Sequence, residues 1–260
     1  MNRRLIAFLS VSRRLNLLCA VACLAGCAAG TVTGSGTGSV RLPASSSQAL
    51  VVVAASPGHT SGRLTPLARD PSTGCWHAAG PSVAVVLGRG GVAPAGPGLP
   101  RKREGDGATP VGTFPLVRAF GRAPAFPTRL PYLPLTSTIE AVDDPASRFY
   151  NRIVDRRAVK NPDWKSSERM LRDDDLYDLG VVVGFNDKPT VPGDGSCIFL
   201  HIWKSPGSTT SGCVAMARPD LQRLVRWLDP SANPVLAVSP PAPRSIPEKK
   251  YHRKPPSIGP

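Results

Sequence analysis

Two residues in the C-terminal third of the chain have the types and spacing of a catalytic pair. His201 lies near the end of an apolar run, and Cys213 follows a Ser-Gly pair twelve positions later. A cysteine attacks carbonyl carbon as its thiolate, and a neighbouring imidazole can take up the thiol proton. Gly, Ser, Pro and Thr dominate the connection between the two. The sequence therefore predicts a loop that folds back and returns Cys213 beside His201.

The residues around this pair indicate how it is held. Alternation along the predicted strand Cys197–Trp203 places His201 and Phe199 on one face and the aliphatic residues on the other. Gly212 allows the backbone to approach a ligand closely. The N–H groups around Gly212 and Cys213 are candidate donors to the oxyanion that forms when a thiolate attacks an amide.

Two other interpretations of the same residues remain open on spacing alone. A buried structural cysteine and a satisfied core histidine are common in proteins. A zinc site would use Cys197, His201 and Cys213, but the first two lie about 13 Å apart along a strand, too far for one tetrahedral ion. The sequence holds no Cys-x2-Cys or His-Glu-x2-His element. No metal site is expected.

The first 27 residues predict an export signal. Four arginines precede the short apolar stretch LLCAVACLAG, which is too short to cross a bilayer as an ordinary helix. The stretch ends in Leu24-Ala25-Gly26-Cys27, which resembles the lipobox of bacterial lipoproteins, where the cysteine is diacylated. The resemblance implies a lipid anchor on Cys27 and a periplasmic place in the cell envelope, at the outer membrane in bacteria with two membranes. The alternative is a plain secretory signal.

The six cysteines divide by position. Three belong to the predicted signal and lipidation site: Cys19, Cys23 and Cys27. The three that remain are Cys75, Cys197 and Cys213. In an oxidising compartment they suggest one disulfide and one free thiol, or three thiols. A Cys75–Cys197 disulfide is the pairing that leaves the candidate nucleophile free, and the sequence does not decide whether it forms.

Basic charge is concentrated at the two ends of the chain. Of the net charge of +14, the four signal arginines account for +4 and the Pro-rich tail, residues 241–260, for another +4. The remainder, 14 − 4 − 4, leaves the folded part near +6. This balance suits anionic envelope polymers and lipid headgroups. The aromatic-basic interleaving of a nucleic-acid module is absent, so no nucleic-acid partner is expected.

Composition and periodicity predict one domain over residues 49–240, preceded by a flexible Gly/Ser/Thr tether over 28–48 and followed by the disordered basic tail. One amphipathic helix is predicted over Pro219–Leu228. Residues 120–177 are polar and proline-rich, and they predict an insertion or lid that is mostly loop, with a short helix near Ser166–Arg172. The β-branched runs predict strands at Leu50–Ala54, Gly62–Ala68, Ser82–Leu87, Gly180–Phe185, Cys197–Trp203 and Pro234–Val238.

Four polar residues outside the pair are candidates for the wall of a substrate cleft. Glu104 and Asp106 belong to a Gly- and Pro-punctuated turn that leads into a strand, and Tyr150 and Asn151 lie in the predicted insertion. Turns of this kind often hold their charged residues as local caps, which is the competing interpretation.

The stretch HIWKSPGSTTSGCVAM resembles the active-site segment of L,D-transpeptidases with the YkuD-like catalytic domain. EGDGATPVGTF at Glu104–Phe114, the FYN and DW elements and GSCIFLHIW extend the resemblance over Leu50–Val238, in an exported lipoprotein branch of that family. The fold it implies is mostly β, with β-sandwich-like mixed sheets and a few helices.

The resemblance also implies a reaction and its residues. Cys213 matches the nucleophile, His201 the general base, and Ser211 and Gly212 the neighbours that form the oxyanion pocket. The implied substrate is a peptidoglycan stem tetrapeptide, cleaved through a thioester with loss of terminal D-Ala and without metal or organic cofactor. Ser211 stands where the family usually has a second histidine, and Ala215 where it often has Asn or Arg, which bears on the acyl acceptor. An L,D-carboxypeptidase or endopeptidase that uses water and a non-catalytic peptidoglycan-binding lipoprotein are the alternatives.

Overall fold

The computed structural model describes residues 31–32, 40–54, 56, 58–93 and 101–239. Its α-helix in these ranges is α1 (Arg218–Trp227), and short 3-10 turns cover Arg156–Ala158, Asp175–Tyr177 and Pro230–Ala232. The strands are β1 (Thr31–Val32), β2 (Val40–Arg41), β3 (Gln48–Ala54), β4 (Ser61–Arg69), β5 (Trp76–Ala78), β6 (Val83–Val86), β7 (Gly112–Gly121), β8 (Tyr132–Pro134), β9 (Ile139–Val142), β10 (Arg152–Asp155), β11 (Ser167–Arg169), β12 (Leu179–Val183), β13 (Phe199–Ile202), β14 (Val214–Met216) and β15 (Val235–Ser239).

Most of the strands belong to one mixed sheet. Its order is β12-β13-β14-β6-β4-β3-β15-β7-β8, with β5 added beside β4. Because β7 also pairs with β12, the path returns to its first strand and the sheet closes on itself. The pairs β13–β14, β15–β3 and β7–β8 are parallel, and the other pairs of this sheet are antiparallel. The expected mostly β fold with mixed sheet pairing is confirmed.

The helix α1 covers one side of this sheet. Pro219 occupies its first turn, where the missing N–H costs nothing, and Asp220 lies at its positive end. Leu221, Leu224 and Val225 are fully buried in the main core cluster. Burial of side chains of this size stabilises a fold by about 1.5–3 kcal/mol each before entropy is counted. The face of α1 predicted to be apolar is the face that packs.

The predicted strands all form, with bounds that differ by one or two residues at most ends. The helix predicted near Ser166–Arg172 is wrong, because Ser167–Arg169 is strand β11 and pairs with β9. The prediction that residues 120–177 are mostly loop is confirmed, because most of them lie outside strands and helices. The strands within the segment were not predicted. The segment contains the end of β7, the strand β8 and a second sheet of order β10-β9-β11.

Glu140, in the middle of this second sheet, shows why the segment is ordered. Its carboxylate accepts hydrogen bonds from Trp164 Nε1 and Ser167 Oγ at 2.8 Å and pairs with Arg156 at 3.2 Å. Asn151, which has a positive φ of 63°, lets the chain turn into β10. These contacts join residues far apart in the segment, and local periodicity does not reveal them.

The packed domain begins earlier than residue 49. Val40 and Leu42, assigned to the tether from composition, are buried in a cluster with Val51 of β3. Cys75 is disulfide-bonded, whereas Cys197 and Cys213 are free thiols, so a Cys75–Cys197 disulfide is excluded. The predicted signal with Cys27 and the tail 241–260 lie outside the described residues.

Candidate active site

Parallel pairing of β13 with β14 brings the two candidate catalytic residues together. Leu200 lies opposite Val214 and His201 opposite Ala215, so Cys213 precedes β14 by one residue, diagonal to His201 on the same face. Leu200 points into the main core, while Cys213 lies in a separate cluster under the second sheet. The predicted alternation along β13 is therefore confirmed. His201 and Cys213, both largely buried, line one cavity of about 580 Å³.

The thiol of Cys213 is held by two backbone groups. The N–H of Phe199 donates to Sγ at 3.3 Å, and the thiol donates to the carbonyl oxygen of Cys197 at 3.6 Å. Burial raises the pKa of Cys213 to about 12, and the negative charge of Glu168 raises it further while the Phe199 N–H opposes the shift. At neutral pH Cys213 is therefore a protonated thiol.

The imidazole of His201 is oriented for proton acceptance. Its Nδ1 lies 2.8 Å from the carbonyl oxygen of Ile202. A carbonyl only accepts, so Nδ1 carries the hydrogen and Nε2 keeps its lone pair. Burial lowers the pKa of His201 to about 4. The hydrogen bond to Ile202 opposes this shift, and the positive charge of Arg172 adds to it. The imidazole is consequently neutral at pH 7 and competent as a base.

Three residues that the sequence did not single out support the histidine. The ring of Tyr177 meets that of His201 edge to face, with centroids 5.2 Å apart. The Tyr177 hydroxyl donates to the carboxylate of Glu168 at 3.0 Å, and Arg172 pairs with the same carboxylate at 2.8 Å. Burial raises the pKa values of Glu168 and Tyr177. Tyr177 and Glu168 lie in a segment without clear period, so no pattern in the chain reveals them.

The loop before Cys213 is fixed by a threonine. Thr210 Oγ1 donates to the carbonyl oxygen of Cys213 at 2.7 Å and accepts from the N–H of Gly212 at 3.1 Å. Gly212 has φ +139°, and a Cβ there would lie 3.1 Å from the carbonyl oxygen of Ala108. Gly212 is thus needed for the backbone shape of this loop, whereas the sequence analysis predicted that it allows a close approach to a ligand. Its oxyanion role stays a prediction, since its N–H donates to Thr210 in this structure.

Ser211, the other predicted neighbour, lies at the cavity wall and accepts a hydrogen bond from Arg89. The distance from Arg89 Nη1 to Ser211 Oγ is 2.9 Å, and Nη2 of the same guanidinium donates to the carbonyl oxygen of Gly105 at 3.0 Å. Arg89 lies far from Ser211 in the chain, which is why sequence reasoning missed it. It places a positive charge beside the loop that precedes Cys213.

Of the four predicted cleft residues, Glu104 lines the cavity of the catalytic pair. Its carboxylate accepts from the Tyr150 hydroxyl at 2.5 Å and from Ser196 Oγ at 2.7 Å, and the Tyr150 oxygen accepts from the N–H of Gly195. Burial, followed by the hydrogen bond to Glu104, raises the pKa of Tyr150. Tyr150 therefore holds the segment that enters β13.

Asn151 and Asp106 have comparable structural positions. The Asn151 side chain accepts from the N–H of Cys197 at 2.9 Å and donates to the carbonyl oxygens of Phe185 and Asn186 at 2.8 Å. Asp106 accepts from Lys102 Nζ at 2.5 Å and caps its own turn. The structure therefore places these two as supports of the loops, outside the lining of the catalytic cavity.

Two further observations concern ligands and membranes. In the part of the chain that the structure describes, no three His, Cys, Asp or Glu side chains are grouped to hold a metal ion. Within the same ranges, no helix is both long and apolar enough to cross a bilayer.

One protein family and two solved structures are similar to this chain. The family model for the L,D-transpeptidase catalytic domain, YkuD, matches residues 76–236. The helical cell shape determining protein Pgp2 of Campylobacter jejuni is similar in structure at 14% identity and TM-score 0.36, covering 75% of this chain and 49% of its own. L,D-transpeptidase 1 of Mycobacterium tuberculosis is similar at 13% identity and TM-score 0.29, covering 74% and 62%. The chain thus spans about half to three fifths of these two proteins. No curated protein sequence matches it.

Proposed function

The chain belongs to the family of L,D-transpeptidase catalytic domains, and from this membership we propose that it is a cysteine-dependent L,D-transpeptidase. Its substrate is a peptidoglycan stem peptide, and its reaction proceeds through a thioester on Cys213 in cell-wall remodelling or crosslinking. The single observation that carries this proposal is the placement of Cys213 and His201 on one face of two paired strands, lining one cavity.

The protonation of the pair sets how the first step proceeds. Both groups are neutral at rest, since burial raises the pKa of Cys213 to about 12 and lowers that of His201 to about 4. The proton therefore moves from Sγ to Nε2 of His201 as the sulfur attacks the carbonyl carbon of the third stem residue. The N–H of Phe199, already 3.3 Å from Sγ, stabilises the developing thiolate.

The remaining steps use the same groups in reverse. The C–N bond to the terminal D-Ala breaks, and the imidazolium of His201 gives its proton to the leaving amine. An amine from a neighbouring stem then attacks the thioester while His201 accepts the amine proton. The C–S bond breaks and the imidazolium returns this proton to the sulfur, which releases Cys213 as a thiol. In this scheme His201 carries each transferred proton. Water in place of the amine would give a trimmed tripeptide.

Digestion of purified muropeptides with the full-length protein tests the proposal. Mass spectrometry of the products distinguishes three outcomes: crosslinked dimers support transfer, trimmed tripeptides indicate an L,D-carboxypeptidase or endopeptidase, and unchanged substrate supports a binding protein. Cys213→Ala is the matched control, since it removes the thiol without adding volume. Products that persist in Cys213→Ala contradict the assigned nucleophile. An adduct of one stem tripeptide on Cys213, seen in the intact protein, would demonstrate the thioester.

We further propose that the protein acts in the periplasm from a lipid anchor on Cys27, at the outer membrane in bacteria with two membranes. The Leu24-Ala25-Gly26-Cys27 terminus of the apolar stretch supports this. Growth with radiolabelled palmitate is the test. Label should enter the wild-type chain and be lost in Cys27→Ser, while Cys75→Ser retains it. A chain released without label would contradict the anchor.

A further inference from the structure

The cavity of the catalytic pair has an uneven distribution of charge. Its charged lining residues in the described chain, other than His201 and Cys213, are Arg89, Glu104, Asp143, Glu168 and Arg172. Arg172 is compensated by ion pairs to the carboxylates of Glu168 and Asp174, each at 2.8 Å. The other cation of this lining is Arg89. Its charge is available to a ligand if no carboxylate of the protein neutralises it.

Arg89 is held by neutral acceptors. Its two side-chain hydrogen bonds go to the hydroxyl of Ser211 and the carbonyl oxygen of Gly105. No carboxylate of the described residues forms an ion pair with it. A guanidinium has five N–H donors in a rigid planar fork. The two bonds fix the plane of the fork and leave further donors for a planar anion.

The backbone and stem of Arg89 are also fixed before any ligand arrives. The backbone N–H of Arg89 donates to the carbonyl oxygen of Thr210 at 2.8 Å. The N–H of Thr210 in turn donates to the carbonyl oxygen of Leu87 at 2.9 Å. The Arg89 side chain runs over the bare Cα of Gly107, where φ is +67° and a Cβ would lie 2.7 Å from Arg89 Cγ. A residue ordered in this way loses little conformational entropy on binding.

We propose that Arg89 binds a carboxylate of the acyl-donor peptide and so selects donors that carry one next to the scissile bond. The inference rests on the proposed function. Arg89 bonds the residue two positions before Cys213, which places its charge in the lining of the cavity that also holds Cys213. Glu104 and Asp143 have no ion pair among the described residues, so they repel an anion from their part of the wall.

Two carboxylates of a stem peptide meet this description. One is the terminal carboxylate of the leaving amino acid, and the other is a side-chain carboxylate, where the third residue is a diamino diacid. Both offer the planar pair of oxygens that a guanidinium binds with two parallel hydrogen bonds. The chemistry at Arg89 is the same for either, and substrates that lack one carboxylate at a time distinguish them.

Calorimetric titration of the full-length Cys213→Ala protein measures this binding without turnover. Three synthetic tetrapeptides are compared: the free diacid, its C-terminal amide and its side-chain amide. A charge-assisted contact predicts that one amidation weakens binding roughly 10- to 100-fold. With Arg89→Gln added, all three peptides should bind with equal affinity. Loss on C-terminal amidation identifies the leaving residue's carboxylate, and loss on side-chain amidation identifies that of the diamino acid.

Arg103→Gln is the matched control, because it removes an exposed arginine outside the cavity lining and should keep the full discrimination. Arg89→Lys, which keeps the charge and loses the fork, should retain part of it. Equal binding of all three peptides by the Cys213→Ala protein that retains Arg89 overturns the inference. A difference in affinity between the peptides that persists in Arg89→Gln overturns it as well. If the three peptides bind with different affinities but the wild type does not turn over muropeptides, the proposed function is contradicted and the carboxylate site is retained. Binding of none of the peptides overturns both.

Discussion

The buried imidazole of His201 makes the stability of the protein fall in acid by an amount that can be worked out. Its pKa is about 4 in the folded chain against 6.5 for an unperturbed histidine. Between pH 6.5 and pH 4 the unfolded chain binds a proton at this histidine that the folded chain does not bind. The stability that the neutral imidazole contributes is therefore complete above pH 6.5 and is lost as the pH falls through 4. The difference of 6.5 − 4 units corresponds to about 3 kcal/mol at pH 4.

The origin of the shift lies in the groups around the ring. Burial is the largest cause and Arg172 adds to it, while the Ile202 carbonyl and the carboxylate of Asp174 favour the charged ring. The ring of Tyr177 packs against the histidine and offers no charge. Because burial dominates, the shift should persist in high salt, which screens only the contributions of Arg172 and Asp174.

Denaturant unfolding of the wild type and His201→Gln at pH 7 and pH 4 measures the effect. The wild type should lose about 3 kcal/mol more than the variant between these two pH values. Carboxylates with low pKa values, such as Asp70 and Asp155 at about 2, titrate equally in both proteins and cancel in the comparison. An equal loss in both proteins would refute the reasoning, since it would mean that His201 is protonated in the folded state.

Three further outcomes follow from the site. The rate of alkylation of Cys213 by iodoacetamide, followed by mass spectrometry of the adduct, should rise about tenfold per pH unit from pH 6 to 9 without a plateau. The reason is that a pKa of about 12 leaves roughly one thiol in 10⁵ ionised at pH 7. Gly212→Ala should lower the free energy of unfolding by about 1–3 kcal/mol and reduce turnover, since φ is +139° there. Tyr150→Phe should cost about 1–3 kcal/mol in denaturant unfolding by leaving Glu104 and the Gly195 N–H without their hydroxyl partner.

Each of these outcomes has a control in the same chain. Cys197→Ser leaves Cys213 as the free thiol of the described residues, and a plateau of its alkylation between pH 5 and 7 would show a preformed thiolate instead. Gly207→Ala matches Gly212→Ala at a site with open space, and equal stability changes would contradict the backbone argument. Tyr132→Phe removes an exposed hydroxyl contact, and an equal cost there would contradict the role given to Tyr150.

The polar cleft residues show where prediction from sequence stops. Glu104 was placed in the cavity wall from its turn and its charge, and it lines the cavity. Tyr150 and Asn151 were proposed as cleft residues as well, but they hold the entry to β13 through Gly195 and Cys197. A hydroxyl or an amide serves either purpose equally well. Their partners are some 45 positions away, which only folding brings near.

The error over Ser166–Arg172 has a related cause. The segment has polar residues that suit an exposed helix, yet it forms β11 because the edge of β9 is open to pair with it. Tertiary pairing outweighs intrinsic propensity for so short a stretch. The early start of packing at Val40 and Leu42 follows the same rule, since isolated apolar residues in a Gly/Ser/Thr stretch become buried when β3 offers a surface.

The amino-acid sequence alone determined the nucleophile and base candidates, the apolar runs of the main sheet and the amphipathic helix. Each of these is a local pattern of residue types whose spacing matches a strand, a helix or a reactive loop. The tertiary structure decided that Cys213 and His201 share a face, that Tyr177 and Glu168 support the imidazole, and that Arg89 lies beside Ser211. Contacts of this kind depend on sheet register and on burial, and the local spacing of residues determines neither of them. Burial also raises the pKa of Cys213 and lowers that of His201.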